Sequence, residues 1–505
     1  MDFELEQNVV LCYETVGQAS VCQEETQEAI VPDACPDILR IVEVCAQAFP
    51  TRGETGDGQA TVVGMIQANV IYLPEKGELL QTMPLRLPFS VRGEIQGMGP
   101  DAILEMSARI TRADARVLNP RKILLRCDLL VEVGALHRRE YTVSSAVAHP
   151  ERGHICQRQE RLEYERISAA PRRIFPISEE IRLSGEQAPV LLGARASAVC
   201  AESKVIGNKL IFKGKTEVEL LLQMPDGEME RRVESFPFSQ ILEAKGAGEN
   251  GSCYVRLSVS EFSCVQPLDD PFHLMVEGEV LAMGRVRETE ELDVLVDLYS
   301  TTHVTQPDWE EVRLWSPSQR MILPMALRDL LETGDVVRSV CDSRFLPGHM
   351  LWSREQDTVV VTTQGRVCVL YLDEERQPRL MEKDVELTAR LNCPVGTELL
   401  DASVFPGELY LAPCAGGIEV RLSAELSALT ARPQFVSVVS RAGLGESRST
   451  EGVRPSVLLR LPERGETLWD IAKSCGTTQE EIMQANELAG EELPEGKMLL
   501  IPSVR

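Results

Sequence analysis

Thr61-Val62-Val63-Gly64-Met65-Ile66-Gln67-Ala68-Asn69-Val70-Ile71-Tyr72 is rich in β-branched residues and alternates with the period of a strand. The pattern returns about 150 residues later in Ile211-Phe212-Lys213-Gly214-Lys215-Thr216-Glu217-Val218-Glu219-Leu220-Leu221-Leu222. It returns again in Val360-Val361-Thr362-Thr363-Gln364-Gly365-Arg366-Val367-Cys368-Val369-Leu370-Tyr371. Each run is expected to be a strand pair or one long strand. Leu87-Pro88-Phe89-Ser90 against Phe236-Pro237-Phe238-Ser239 is a second anchor, and Val44-Cys45, Val199-Cys200 and Val340-Cys341, each closing an apolar stretch, are a third. A further strand falls late in each copy, over residues 122–131, 272–281 and 418–426.

These repeats divide the chain into β-rich modules over 1–145, 146–305 and 306–440, with His149 to Ala170 and Gln306 to Arg320 as polar connectors. Many short strands closed by Gly, Pro and Asp turns bury their apolar faces only as sandwiches or closed sheets. The expected fold class is therefore mostly β, with three repeated β-sandwich-like modules and a small βααβ unit after them. Residues 441–456 are small and polar, the composition of a flexible linker, and 457–505 form a compact tail. The copies share strand patterns and no polar site residues, which points to packing and surface display as their common property.

The chain of 505 residues carries 52 Lys and Arg against 78 Asp and Glu, a net charge of −26. That charge repels phosphate backbones and anionic lipid, so nucleic acid is not an expected partner. No run reaches the roughly 18 apolar residues of a membrane span, and Met1-Asp2-Phe3-Glu4-Leu5-Glu6 lacks the cationic start of an export signal, so a cytoplasmic location without membrane insertion is expected. The 14 cysteines include no CxxC pair and sit mostly among Val and Leu, as small apolar core residues.

No motif argues for an enzyme, a cofactor or a metal. Gly246-Ala247-Gly248-Glu249-Asn250-Gly251 has the spacing of a dinucleotide loop, but a strand pattern follows it where a helix is needed, so a hairpin turn is expected. Gly214-Lys215-Thr216 lies mid-strand and has Lys209 where a phosphate loop needs its first glycine. The six histidines form no HExxH, and His149 and His154 fall in an arginine-rich connector. Asp269-Asp270 and Asp373-Glu374-Glu375 are expected in solvated turns.

The tail is more specific. Thr467 with Asp470 and Thr478 with Glu481 have the spacing of two capping boxes; Leu468, Ile471, Ala472 and Cys475 line one helical face, closed by Gly476. Asn486 is expected to take a left-handed cap, and Leu499-Leu500-Ile501-Pro502 returns as a strand. Gly465-Glu466-Thr467-Leu468-Trp469-Asp470-Ile471-Ala472, Asn486 and Pro494 to Pro502 resemble the LysM pattern GDTLWxIA, a central Asn, and PGxxLxIP. Glu466 stands for the usual Asp, and Arg460 and Pro462 replace the first strand's aromatic and aliphatic residues. The resemblance implies a groove between the loop before the first helix and the loop before the last strand. Gly465, Glu466, Thr467, Leu468, Asn486, Glu487, Leu488 and Pro494 are the expected partner- or glycan-binding residues, and Trp469, Ile471, Ile482 and Ile501 the structural core. From Arg460 to Arg505 there are five basic and nine acidic residues, and Glu487, Glu491 and Glu492 beside the groove suit a basic protein surface at least as well as a glycan.

Three diverged β modules followed by one LysM domain resemble the SipL-like family of clostridial spore-coat proteins, whose repeats are called SPOCS domains. Ile30-Val31-Pro32-Asp33-Ala34-Cys35-Pro36-Asp37-Ile38-Leu39-Arg40-Ile41 is similar to the motif that opens those repeats. The resemblance implies a mother-cell cytosolic adaptor at the forespore surface that binds the spore-coat basement-layer ATPase through its LysM domain. The alternatives are an anchor that binds peptidoglycan, an N-acetylglucosamine polymer, through the LysM groove, and a hydrolase targeted by that groove.

Overall fold

The computed structural model of the chain describes residues 3–77, 79–248, 251–448, 457–494 and 496–502. The first module runs β1 (Leu5–Ile30), β2 (Ile38–Thr55), β3 (Gln59–Pro74), β4 (Gln81–Glu94), β5 (Ile103–Asn119) and β6 (Lys122–Val147). The second runs β7 (Ile155–Ala169), β8 (Arg172–Arg182), β9 (Val190–Ile206), β10 (Lys209–Gln223), β11 (Met229–Glu243), β12 (Ser252–Val265) and β13 (His273–Ser300). The third runs β14 (His303–Trp315), β15 (Gln319–Glu332), β16 (Val337–Glu355), β17 (Thr358–Asp373), β18 (Pro378–Asn392), β19 (Glu398–Cys414), β20 (Gly417–Ala431) and β21 (Pro433–Ser447). The tail adds β22 (Val457–Arg460), α1 (Leu468–Cys475), α2 (Gln479–Ala485) and β23 (Leu499–Pro502).

Each module is a sandwich of two three-stranded antiparallel layers. The inner sheets are β2-β3-β4, β9-β10-β11 and β16-β17-β18; facing them lie β1-β6-β5, β8-β13-β12 and β15-β20-β19. The repeated run that opens the sequence is one long strand each time, β3, β10 or β17, at the centre of the inner sheet. Its late counterpart, β6, β13 or β20, is the centre of the facing layer. The Pro-Phe anchor has a steric cause. Phe89 lies opposite Gly64 and Phe238 opposite Gly214, where an added Cβ would stand 2.4 and 2.8 Å from the rings. Only glycine lets the ring cross the sheet there.

The strands overrun the sandwiches. The ends of β1 and β6, of β7 and β13, and β14 with β21 continue as three antiparallel ribbons. The ribbons bundle around Val10, Val143, Tyr164, Leu292, Val294, Val312, Leu314 and Val438, so every module contributes to one stalk. This overturns the connector and linker expectations. His149 to Ala170 is a short 3-10 turn, Pro150–Gly153, followed by β7; Gln306 to Arg320 holds most of β14 and the start of β15; and residues 441–447 complete β21. The third module thus ends at Ser447 rather than 440, and the rest of the expected linker, 449–456, lies outside the described residues. The arginines that made His149 to Ala170 look like a solvated tether are cross-strand partners: Arg161 meets Asp293 at 2.8 Å and Arg166 meets Glu290 at 2.7 Å. A two-stranded ribbon with one wet face simply shows few apolar residues.

The modules close a ring. Arg285 donates to Glu105 at 2.6 Å between the first and second, Arg256 to Ser403 at 2.9 Å between the second and third, and Arg109 to the Pro347 carbonyl at 3.0 Å between the third and first. At the centre the outer faces of the three inner sheets meet in one apolar cluster that includes Ile71, Leu221 and Leu370. Burial of both faces is why alternation gives way there to continuous apolar runs such as Val70-Ile71-Tyr72 and Leu220-Leu221-Leu222. The register also corrects the third anchor. Opposite Asn69, Glu219 and Cys368, which are equivalent across the repeats, lie Cys45, Arg195 and Arg344, so Cys200 and Cys341 are not the counterparts of Cys45. Bulges of different placement in β2, β9 and β16 shift the spacing. The glycine loop that begins at Gly246 is no hairpin either, because β11 and β12 belong to different sheets and the loop crosses between them.

Candidate functional site

The tail folds as the local signals require. The Thr467 hydroxyl accepts from the Asp470 amide at 3.2 Å, while the Asp470 carboxylate accepts from the Thr467 amide at 3.0 Å. The Thr467 hydroxyl, which also donates to the Asp470 carboxylate at 2.6 Å, and then the Thr467 amide hold that carboxyl below its ordinary range. Thr478 and Glu481 repeat the box at 3.1 Å in both directions, and although burial pushes the Glu481 carboxyl up, hydrogen bonds from Thr477 and Thr478 leave it lowered. Gly476 closes α1 at φ 69°. Leu468, Ile471, Ala472, Ile482, Leu499 and Ile501 pack as the core against the β22–β23 pair.

Two of the three departures from the LysM pattern, Arg460 and Glu466, are halves of one interaction. Arg460 on β22 donates to the Glu466 carboxylate, whose other oxygen accepts from the Glu463 amide at 3.0 Å, so an ion pair stiffens the loop before α1. The Asn486 amide is committed as well: its nitrogen donates to the Leu500 carbonyl and its oxygen accepts from the Leu500 amide, both at 2.7 Å, which ties α2 to β23. Asn486 itself has φ −112°, and the left-handed position expected for it falls to Glu487 at φ 52°.

Of the expected contact residues, Gly465, Thr467 and Glu487 are exposed, whereas Glu466, Asn486, Leu488 and Pro494 are half-buried. Leu468 is 1% exposed and faces the core, because the first residue of α1 points inward when Thr467 caps it, so it cannot touch a partner. Glu491 and Glu492 are exposed in the loop after α2. Glu487, Glu491 and Glu492 make the surface of the loop after α2 acidic.

Trp469 is buried with this core, but its ring does more than fill it. Its Nε1 donates to Asp297 of β13 at 2.7 Å, and its face meets the edge of Tyr299 with centroids 4.9 Å apart. Lys473 reaches both oxygens of Asp297 at 2.7 Å, and the Tyr299 hydroxyl donates to the Thr477 carbonyl at 2.8 Å. Arg448, at the end of the third module, donates to the Lys473 carbonyl at 3.2 Å. The tail therefore sits on the foot of the stalk through α1 and the turn after it. The sequence offered no signal for Asp297 or Tyr299, which lie more than 170 positions from their partners.

No helix among the described residues is long and apolar enough to cross a membrane. No curated protein and no solved structure matches the chain. Residues 463–502 match the family model of the LysM domain, and the unit seated on Asp297 and Tyr299 is therefore a LysM domain carried by a three-module β scaffold.

Proposed function

We propose that this chain is a non-enzymatic assembly protein of the spore coat. It acts in the mother-cell cytoplasm at the forespore surface, where its LysM domain binds the coat's basement-layer ATPase and helps the coat encase the forespore. In this proposal the three modules are SPOCS-like and serve as a rigid body that holds the LysM surface outward. The observation that carries the protein-binding reading is the chemistry of that surface. It offers Glu487, Glu491 and Glu492, and Trp469, the one aromatic residue of the LysM domain, is spent on the seat, which leaves no ring on which a sugar could stack. The three exposed carboxylates of that loop suit a basic protein patch, whose attachment weakens as salt rises.

The LysM match favours a second reading, a peptidoglycan-binding anchor, with the exposed backbone near Gly465 and the Thr467 hydroxyl as polar contacts for an acetylated sugar. The deciding experiment compares the full chain with the variant Glu487→Lys/Glu491→Lys/Glu492→Lys. Salt-sensitive binding to the purified ATPase that the variant loses, without sedimentation on purified peptidoglycan, is the expected result. Sedimentation with peptidoglycan and no ATPase binding would overturn it.

A further inference from the structure

The three modules meet at a buried patch of charge whose members differ from module to module. In the first module Glu43 faces Ile71 and Cys45 faces Asn69. At the equivalent places stand Gly193 and Arg195 in the second module, and Asp342 and Arg344 in the third. Arg344 pairs with Glu43 and donates to the Val44 carbonyl at 3.1 Å. Arg195 grips Asp342 with two bonds of 2.8 and 3.0 Å and holds Glu219 at 2.8 Å, while Arg231 holds the other oxygen of Glu219 at 2.8 Å. The Glu43 and Asp342 side chains are each 1% exposed. Gly193 lies against Cys45: a Cβ there would make an ordinary contact of 3.5 Å with the sulfur.

We infer that this patch is a heterotypic key, which lets the axial face of each module accept the two unlike modules and rejects a like module from a second copy. Three first-module faces brought together would bury three Glu43 carboxylates, with Cys45 where Arg195 and Arg344 stand in the other modules. Three second-module faces would bury three Arg195 guanidiniums without the Asp342 carboxylate that grips Arg195 in the fold. The third face alone balances its own charge. In the chain as folded, Glu43, Glu219 and Asp342 match Arg195, Arg231 and Arg344 one for one.

Glu43, Cys45 and Asp342 also bring ligand atoms within 4.8 Å of one another, and Glu43 Oε2 has no hydrogen-bond partner, as in a cation site. Two guanidiniums already occupy that space, with Arg195 and Arg344 nitrogens 3.8 and 3.7 Å from the Cys45 sulfur. Burial, and then Glu43, push the Cys45 thiol up to about 11, the opposite of what a metal-ready thiolate needs. Burial alone would lower the Arg344 guanidinium, yet Glu43 holds it above its ordinary value.

The test uses the full chain, unfolded in urea and refolded at low and high protein concentration, with oligomeric state read by light scattering. The wild type is expected as a single monomer peak throughout. Glu43→Leu/Arg344→Met removes both charges of one pair, and the expected result is loss of the single monomer peak at high concentration as the now uncharged first-module faces of different chains associate, with a urea midpoint no lower than that of Arg344→Met alone. A double variant that refolds only to monomer would overturn the key. So would uptake of one zinc ion by the wild type, lost in Cys45→Ser. Should the double variant not fold, the transposed pair Glu43→Arg/Arg344→Glu decides: recovery of the monomer supports the key, and failure to recover it counts against it.

Discussion

The axis of the ring and the seat of the LysM domain are both junctions between units of one chain, and both carry ion pairs. At the axis Glu43 is 1% exposed and Arg344 11%, whereas at the seat Asp297 is 20% exposed and Lys473 35%. Water can replace a lost partner at the seat but not at the axis. Three sheets also converge on the axis, while the LysM domain rests on Asp297 and Tyr299 of β13 and on Arg448. The same chemistry therefore makes an obligate core in one place and a latch in the other.

Four changes break or sharpen that contrast. Arg344→Met leaves Glu43 buried and uncompensated, which costs about 3–5 kcal/mol; denaturant unfolding with amide exchange should show all three modules losing protection together. Trp469→Ala removes the largest side chain of the LysM core at about 3 kcal/mol, enough to unfold a domain of that size. Exchange at α1 and α2 should collapse while β3, β10 and β17 keep their protection. Asp297→Asn weakens the seat by about 1–2 kcal/mol: proteolysis should rise near the α1–α2 turn, with both helices still formed. Acidification is the mildest change. The Asp470 and Glu481 carboxyls are lowered in the fold, so their capping contribution is complete above the ordinary values of 3.8 and 4.5 and fades as pH falls through the lower folded values. The LysM helices should lose protection there before the module sheets do, as measured by exchange across an acid series.

Much of the architecture was legible because strands with one wet face write their period into the sequence. The runs at Thr61, Ile211 and Val360 marked the central strands of the inner sheets, and the two capping boxes marked both helices of the LysM domain. The polar ribbons were not legible: in β7 Arg158, Arg161 and Arg166 lie opposite Asp297, Asp293 and Glu288 of β13, so composition concealed a strand. Leu468 was misassigned for a related reason, since a loop motif does not tell which of its residues the first helical turn rotates inward.

The sequence by itself determined the β class, the threefold repetition, the βααβ tail and its caps, all of which depend on neighbours within a few residues or on periodic alternation. Only the tertiary structure decided that the modules close a ring, that Cys45, Arg195 and Arg344 are counterparts, and that Trp469 fastens the LysM domain to Asp297. Those contacts join residues about 150 to 300 positions apart. No local propensity encodes them, because their energy comes from desolvation and charge pairing that exist only once the chain has brought distant strands together.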